Sequence, residues 1–305
     1  MSFGAAATPE DVPAYLASVR GGRPVPESLV AEFQRRYRVV GGSPLVRITA
    51  EQAAALEALL NTEATGGRRF RALPGMRHTP PLIGDALAQL VSEGARRAVA
   101  VIMAPQHSRQ IMAGYHEAVE RAAATLGGSV AVRVAGAWHR VPAFLDALGQ
   151  RLQEALARLS EHEHDTAPVL FTAHSMPKSV VEKEPEYLEM LRDTAGEVAR
   201  RAGLARSRWQ FAYQSAGHTP EEWLKPDVKD LFPGLALAGH RRVVAAPVQF
   251  VADHLEVLYD LDVEARRQAQ RSGISLSRTA MPNTMPLFIR ALAEVVRREA
   301  AAAGW

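Results

Sequence analysis

Short runs of nearly continuous apolar character alternate along the chain with longer stretches whose apolar residues recur every three or four positions. The runs are Arg97–Ala104, Ser129–Ala135, Ala167–Ala173, Arg208–Gln214 and Arg241–Val248. Strands buried on both faces read this way, as parallel strands do. The stretches between them carry helix-start signals. Thr8-Pro9-Glu10-Asp11 offers an N-cap, a proline at the first helical position and early acids. Thr49-Ala50-Glu51-Gln52 fits a capping box ahead of an apolar face. A last helix is expected over about Asn283 to Ala303. Such alternation implies an α/β chain with parallel sheets and helices on both faces. The polar segment Glu161–Pro168 is the expected boundary between two similar halves, residues 1–160 and 161–282, with the helix of 283–305 packing back on the first.

In open parallel sheets, ligands gather outside the carboxyl ends of the strands. His174 lies one residue beyond the run that ends at Ala173, and the ionisable residues of 253–260 open a helix after another run. Both therefore face the same rim. Taken alone, His174 reads equally well as an ordinary hydrogen-bonded loop histidine. Glu256, Asp260 and Glu264 recur at i, i+4 and i+8, which on an α-helix places three carboxylates on one stripe. Paired with Arg266 and Arg267, such a stripe would be a solvated face. Its start at the sheet rim favours a metal or proton path. The spacing is not that of a zinc hydrolase.

Composition narrows the classes. Apolar residues are 47% and charged residues 23% of 305, a balance typical of soluble globular proteins. No apolar run is long enough to span a membrane and no secretory signal opens the chain, so the expected location is the cytoplasm. There is no cysteine, which excludes disulfides, thiolate zinc sites and a cysteine-bound iron–sulfur cluster. A formal charge of +3 is too small to argue for nucleic acid. With a pI near 9.4, a locally basic site for a small anion remains open.

Five segments then appear in an order that resembles the ferrochelatases, enzymes that insert ferrous iron into a porphyrin. They are Arg36–Leu45 (RYRVVGGSPL), Gly75–Pro81 (GMRHTPP), Phe171–Pro177 (FTAHSMP), Phe211–Leu231 (FAYQSAGHTPEEWLKPDVKDL) and Pro247–Glu264 (PVQFVADHLEVLYDLDVE). The resemblance covers nearly the whole chain. It implies two Rossmann-like domains with a cleft between them. Carried over position by position, it makes His174 and Glu256 the iron-facing pair and Asp260 and Glu264 an acidic ladder leading away. Arg20, Arg36, Tyr37, Ser43 and Tyr115 fall where such enzymes bind the porphyrin and its propionates, and His78 matches a histidine of the cleft. Arginine suits carboxylates because its planar fork bonds both oxygens; Arg23 and Arg35 read as solvated surface.

The chain also departs from the family. Met1 falls where a hydrophobic first strand should be ending. Phe3 stands at the axial position where Gram-positive enzymes carry a tyrosine, and phenylalanine cannot ligate iron. Lys183–Leu191 replaces a Gly-Asp-Pro-Tyr-Pro segment, so no role is transferred there. The resemblance implies a monomer acting on coproporphyrin III in haem biosynthesis, with no cofactor beyond the iron substrate. A cobalt chelatase and a non-catalytic tetrapyrrole carrier are the alternatives.

Overall fold

The structure, a computed structural model, describes residues 1–217 and 221–305; part of the fourth motif, residues 218–220, lies outside them. In the first half, helices α1 (Val12–Val19), α2 (Glu27–Val40), α3 (Leu45–Thr62) and α4 (Ile83–Ser92) precede β1 (Arg97–Ala100), α5 (Arg109–Thr125), β2 (Ala131–Val134) and α6 (Pro142–Leu156). After the short α7 (Glu161–Thr166) come β3 (Val169–His174), α8 (Lys178–Val181), α9 (Pro185–Arg201), β4 (Trp209–Gln214), α10 (Val228–Leu237) and β5 (Arg242–Pro247). A π-helix (Val257–Ala265), α11 (Arg266–Arg271), β6 (Ser275–Arg278) and α12 (Pro286–Ala302) complete the chain.

Strands β4-β3-β5-β6 form one parallel sheet, with Val169 opposite both Trp209 and Val244. The strand β3 is buried from Val169 to Ala173, as its unbroken apolar run requires. Alternate side chains serve different layers. Val169 and Phe171 join a core with α6, α9 and α12, where Phe144, Leu152, Val198 and Phe288 are buried. Leu170 points the other way, onto Phe232, Leu261 and Ala269. Truncating Phe171 to alanine would cost about 3–5 kcal/mol. Helix α12 packs on α3 and α6.

A second sheet pairs β1 with β2 in parallel. Beside it, Met1–Phe3 runs as extended chain: Met103 N donates to Met1 O (2.9 Å) and Ser2 N to Gly75 O (3.0 Å). This is the place where the sequence expects a first strand to end.

Three expectations need correction. The helix α3 begins at Leu45, so Thr49 is not its cap; its hydroxyl donates back to Leu45 O at 2.8 Å, the usual use of a mid-helix threonine. Strand β6 is absent from the apolar pattern, because Ser-Leu-Ser-Arg is polar and lies on a sheet edge. The helix carrying the acids is not an α-helix. In a π-helix the bonds close i→i+5, so residues four apart no longer stack as the α-helical stripe assumes.

Candidate active site

Strand β3 delivers His174 to the carboxyl rim of the four-stranded sheet. Its backbone N–H donates to Gln249 Oε1 (2.7 Å), and Gln249 Nε2 donates to the Tyr187 hydroxyl (2.6 Å). The first helical turn after β5 delivers Glu256. His174 Nε2 stands 3.6 Å from Glu256 Oε2. His174 Nδ1 bonds Ser175 O. A carbonyl can only accept, so Nδ1 carries a hydrogen and Nε2 is the nitrogen that faces the carboxylate.

His254 repeats the arrangement. Its Nδ1 donates to Ala252 O (3.0 Å), and its Nε2 lies 3.6 Å from the same Glu256 oxygen. Phe250 packs edge-on against its ring at 4.5 Å. The two Nε2 atoms thus converge on one carboxylate oxygen, an arrangement that favours a proton or a metal between them. The geometry suits a metal: two donors about 2.1 Å from one tetrahedral ion stand about 3.4 Å apart. Among the described residues no group of three or more His, Asp or Glu side chains is arranged to hold a metal. The site is two overlapping pairs that share an oxygen.

Burial works to raise the Glu256 carboxyl, but His174 and His254 outweigh it and hold it down at about 2. The side chain sits among protein atoms yet is 44% exposed, as a group open on one side would be. Asp260, 13% exposed, behaves oppositely. Burial and the charge of Glu256 push it up to about 6 against the Ser215 hydroxyl, Arg36 and His174. Ser215 donates to Asp260 from a backbone with φ of 62°, strained for a serine. Glu264 lies at the surface beside Gln268 (3.5 Å).

The expected porphyrin-facing residues are placed as follows. Arg36 donates to Glu32 (2.8 Å), approaches Asp260 at 3.5 Å and lies over the Tyr259 ring; it is engaged with the acidic line. Tyr37 is buried and its hydroxyl accepts from Ala6 N (3.1 Å). Burial lifts its phenol to about 12, with Glu256 adding to the effect. Arg35, read as plain surface, bonds Glu32 and the Tyr259 hydroxyl. Arg20 closes α1, its Nε donating to Pro24 O (3.1 Å), and Arg23 is exposed. The Ser43 hydroxyl is buried with no hydrogen-bond partner among the described residues.

Phe3, His78 and Tyr115 form one group. The Phe3 and His78 rings lie 4.5 Å apart, and Ser18 Oγ is 3.0 Å from His78 Nδ1. Burial, with Arg77 adding to it, lowers His78 to about 4, so its ring is neutral at physiological pH. The sequence reading missed Arg77, whose guanidinium lies over both the Phe3 (5.8 Å) and Tyr115 (5.7 Å) rings. Gly114 makes room for it: a Cβ there would fall 2.0 Å from Arg77 Nη2. A glycine inside α5, disfavoured by about 1 kcal/mol, was the available signal. His254 and Ser215 were also missed, although both lie within quoted motifs.

A cavity of about 1420 Å³ lies elsewhere, between α3, α12 and β1, and is lined by none of these residues.

Comparison with known proteins identifies the family. The family model described as Ferrochelatase matches residues 1–300. A coproporphyrin III ferrochelatase of Geobacillus kaustophilus is 39% identical over 306 residues, covering 100% of this chain and 96% of that protein. A ferrochelatase of Deinococcus radiodurans is 35% identical, covering 99% and 95%. Among solved structures, SirB from Bacillus subtilis with Fe3+ superposes with a TM-score of 0.57 at 14% identity, covering 84% of this chain and 91% of that one. That similarity establishes a shared α/β fold.

Proposed function

Because the chain belongs to the ferrochelatase family, we propose that it inserts ferrous iron into coproporphyrin III, with His174 and Glu256 receiving the metal. The observation that carries the reading is the 3.6 Å approach of His174 Nε2 to Glu256 Oε2 at the sheet rim. Imidazole nitrogen and carboxylate oxygen both suit ferrous iron. A pair of donors holds the ion less tightly than a complete cage, which favours handing it on. A free-base porphyrin loses two pyrrole protons as iron enters. The His174 Nε2 lone pair, oriented by the Nδ1 bond to Ser175 O, is placed to accept one. Metal and proton compete for that nitrogen.

The choice of porphyrin rests on the N-terminal face. Coproporphyrin III carries a propionate on every pyrrole ring, whereas protoporphyrin IX carries two on one edge. Arg20 and Arg77 have no acidic partner among the described residues and are the groups available to propionates; the Ser43 hydroxyl is unbonded but buried. The Geobacillus kaustophilus relative is named for coproporphyrin III. We read the enzyme as a monomer working in the cytoplasm on this water-soluble substrate. Among the described residues no helix is long and apolar enough to cross a membrane.

The test is anaerobic iron insertion into both porphyrins by wild type, Arg20→Ala and Arg23→Ala. Wild type should prefer coproporphyrin III. Arg20→Ala should lose about ten- to a hundredfold in kcat/KM on it, the worth of one bidentate charge-assisted pair. Arg23→Ala should lose little. A wild type that prefers protoporphyrin IX would overturn the substrate assignment while leaving the family intact.

A further inference from the structure

The segment that carries His254, Glu256 and Asp260 is bracketed by two further acids, Asp253 and Asp262, and one arginine reaches both. Arg278 ends β6 and its side chain is 12% exposed. Its Nε lies 3.0 and 3.2 Å from the Asp262 oxygens, and its Nη2 donates to Asp262 Oδ2 at 2.7 Å. The same Nη2 lies 3.0 Å from Asp253 Oδ1, a contact of charge rather than a well-directed hydrogen bond. Nη1 donates to Thr279 O at 3.0 Å, which fixes the guanidinium plane.

The Asp253 end is held from a second direction. Asn283 Nδ2 donates to Asp253 Oδ2 (2.8 Å), and Asp253 N donates to Asn283 Oδ1 (2.9 Å). Asn283 adopts a left-handed backbone, φ 46°, to make this reciprocal pair. Gln52 on α3 donates to Asn283 O at 2.9 Å and tethers that turn to the first half of the chain.

We propose that Arg278 is a positioning residue for the metal pair: by holding Asp253 and Asp262 it sets the orientation of the intervening segment and so the approach of Glu256 to His174. This rests on the proposed role of that pair. A fork is needed, because one Nη must serve two carboxylates while Nε serves one of them. A lysine keeps the charge and loses that geometry. Without the Arg278 fork, Asp262 keeps only Arg266 at 3.5 Å and Asp253 only Asn283 among the described residues, so nothing ties the two ends of the segment together and Glu256 is the group displaced. Partners one layer behind metal ligands change metal affinity or activity by about ten- to a hundredfold when altered.

The experiment is steady-state zinc and ferrous insertion by the full chain, as wild type, Arg278→Lys, Asp262→Asn and Glu256→Gln. Porphyrin affinity is read separately by fluorescence quenching. Arg278→Lys should raise the apparent KM for metal about tenfold or more, with porphyrin affinity changed less than about twofold. Asp262→Asn should move metal KM the same way by less, and it stands in should Arg278→Lys not fold. An unchanged metal KM in a folded variant overturns the proposal. So does a loss of active fraction with both KM values unchanged, which marks a merely structural residue. Near-normal turnover by Glu256→Gln would instead overturn the role of the metal pair, and this inference with it.

Discussion

On the C-terminal side of the site, His174 hangs from the end of a buried strand and Glu256 from the first helical turn after its neighbour, and the supporting groups are bonded in series from His174 N through Gln249 to Tyr187. On the N-terminal side, Arg20, Ser43 and Arg77 come from a helix end and from loops, and they retain unused hydrogen-bonding capacity. The sides meet where the charge of Glu256 acts on Tyr15 and Tyr37. One side is arranged before anything binds; the other leaves donors for a substrate to satisfy. A group that must meet a small ion at a fixed distance is best placed on a packed strand end. Groups that grip the periphery of a large, flat anion tolerate helix ends and loops.

The difference between the two sides rests most directly on His174. His174→Ala should lower metal insertion by about 10²–10⁴-fold, the range for removing a positioned proton acceptor, while porphyrin affinity stays near wild type. Stability should fall by about 1 kcal/mol, the worth of the Nδ1 bond. Turnover and fluorescence quenching on the same preparation check both. Near-normal turnover in folded protein would remove His174 from the chemistry, and equal loss of porphyrin binding would erase the distinction between the two sides.

What could be read beforehand follows the same division. The strands β3 and β5 are unbroken apolar runs, and the topology of a parallel sheet sends their ends to a common rim, so His174 and Glu256 were legible. The strand β6 was not, because an edge strand of Ser-Leu-Ser-Arg carries no apolar signal. The π-helix was not either. No residue preference distinguishes i→i+5 from i→i+4 bonding, and the segment is fixed by distant partners, Ser215 on Asp260 and Arg278 on Asp262. Arg36 shows the limit of carry-over by motif. Its position fits a porphyrin ligand, but its bonds to Glu32 and its approach to Asp260 depend on how α2 meets the π-helix.

Asp260→Asn tests the prearranged side through pH. Burial, with the charge of Glu256, holds this carboxyl up at about 6 in the folded protein, against about 3.9 in an unfolded chain. Between those values the native state keeps a proton that the unfolded state has lost, so the contribution of Asp260 to stability falls as pH rises from about 4 to about 6. The asparagine does not ionise. The variant should therefore gain on wild type across that window, by no more than about 3 kcal/mol, because each pH unit between the two values is worth about 1.4 kcal/mol. Urea unfolding at pH 4, 5.5 and 7.5 measures it, and parallel profiles for the two proteins would show that Asp260 is not held protonated. Glu256, held at about 2, stays ionised throughout, so the first proton taken by this pair of acids belongs to Asp260.

The smallest effect is expected at the outer end of the acidic line. Glu264 is exposed, and its hydrogen bond from Gln268 is 3.5 Å long. Glu264→Gln should change stability by less than about 0.5 kcal/mol, as for an ordinary surface substitution. Any influence on metal must act through space, so it is a charge effect that salt can screen. Over about 10 Å of Debye length at 0.1 M, an exposed carboxylate still attracts a divalent ion; at 1 M the length is about 3 Å and the attraction is gone. Metal KM for the variant should then exceed wild type modestly at low salt and match it at high salt. A difference that persists at 1 M salt would mean that Glu264 touches the ion, and that the ladder reaches the surface as a set of true ligands rather than as a field.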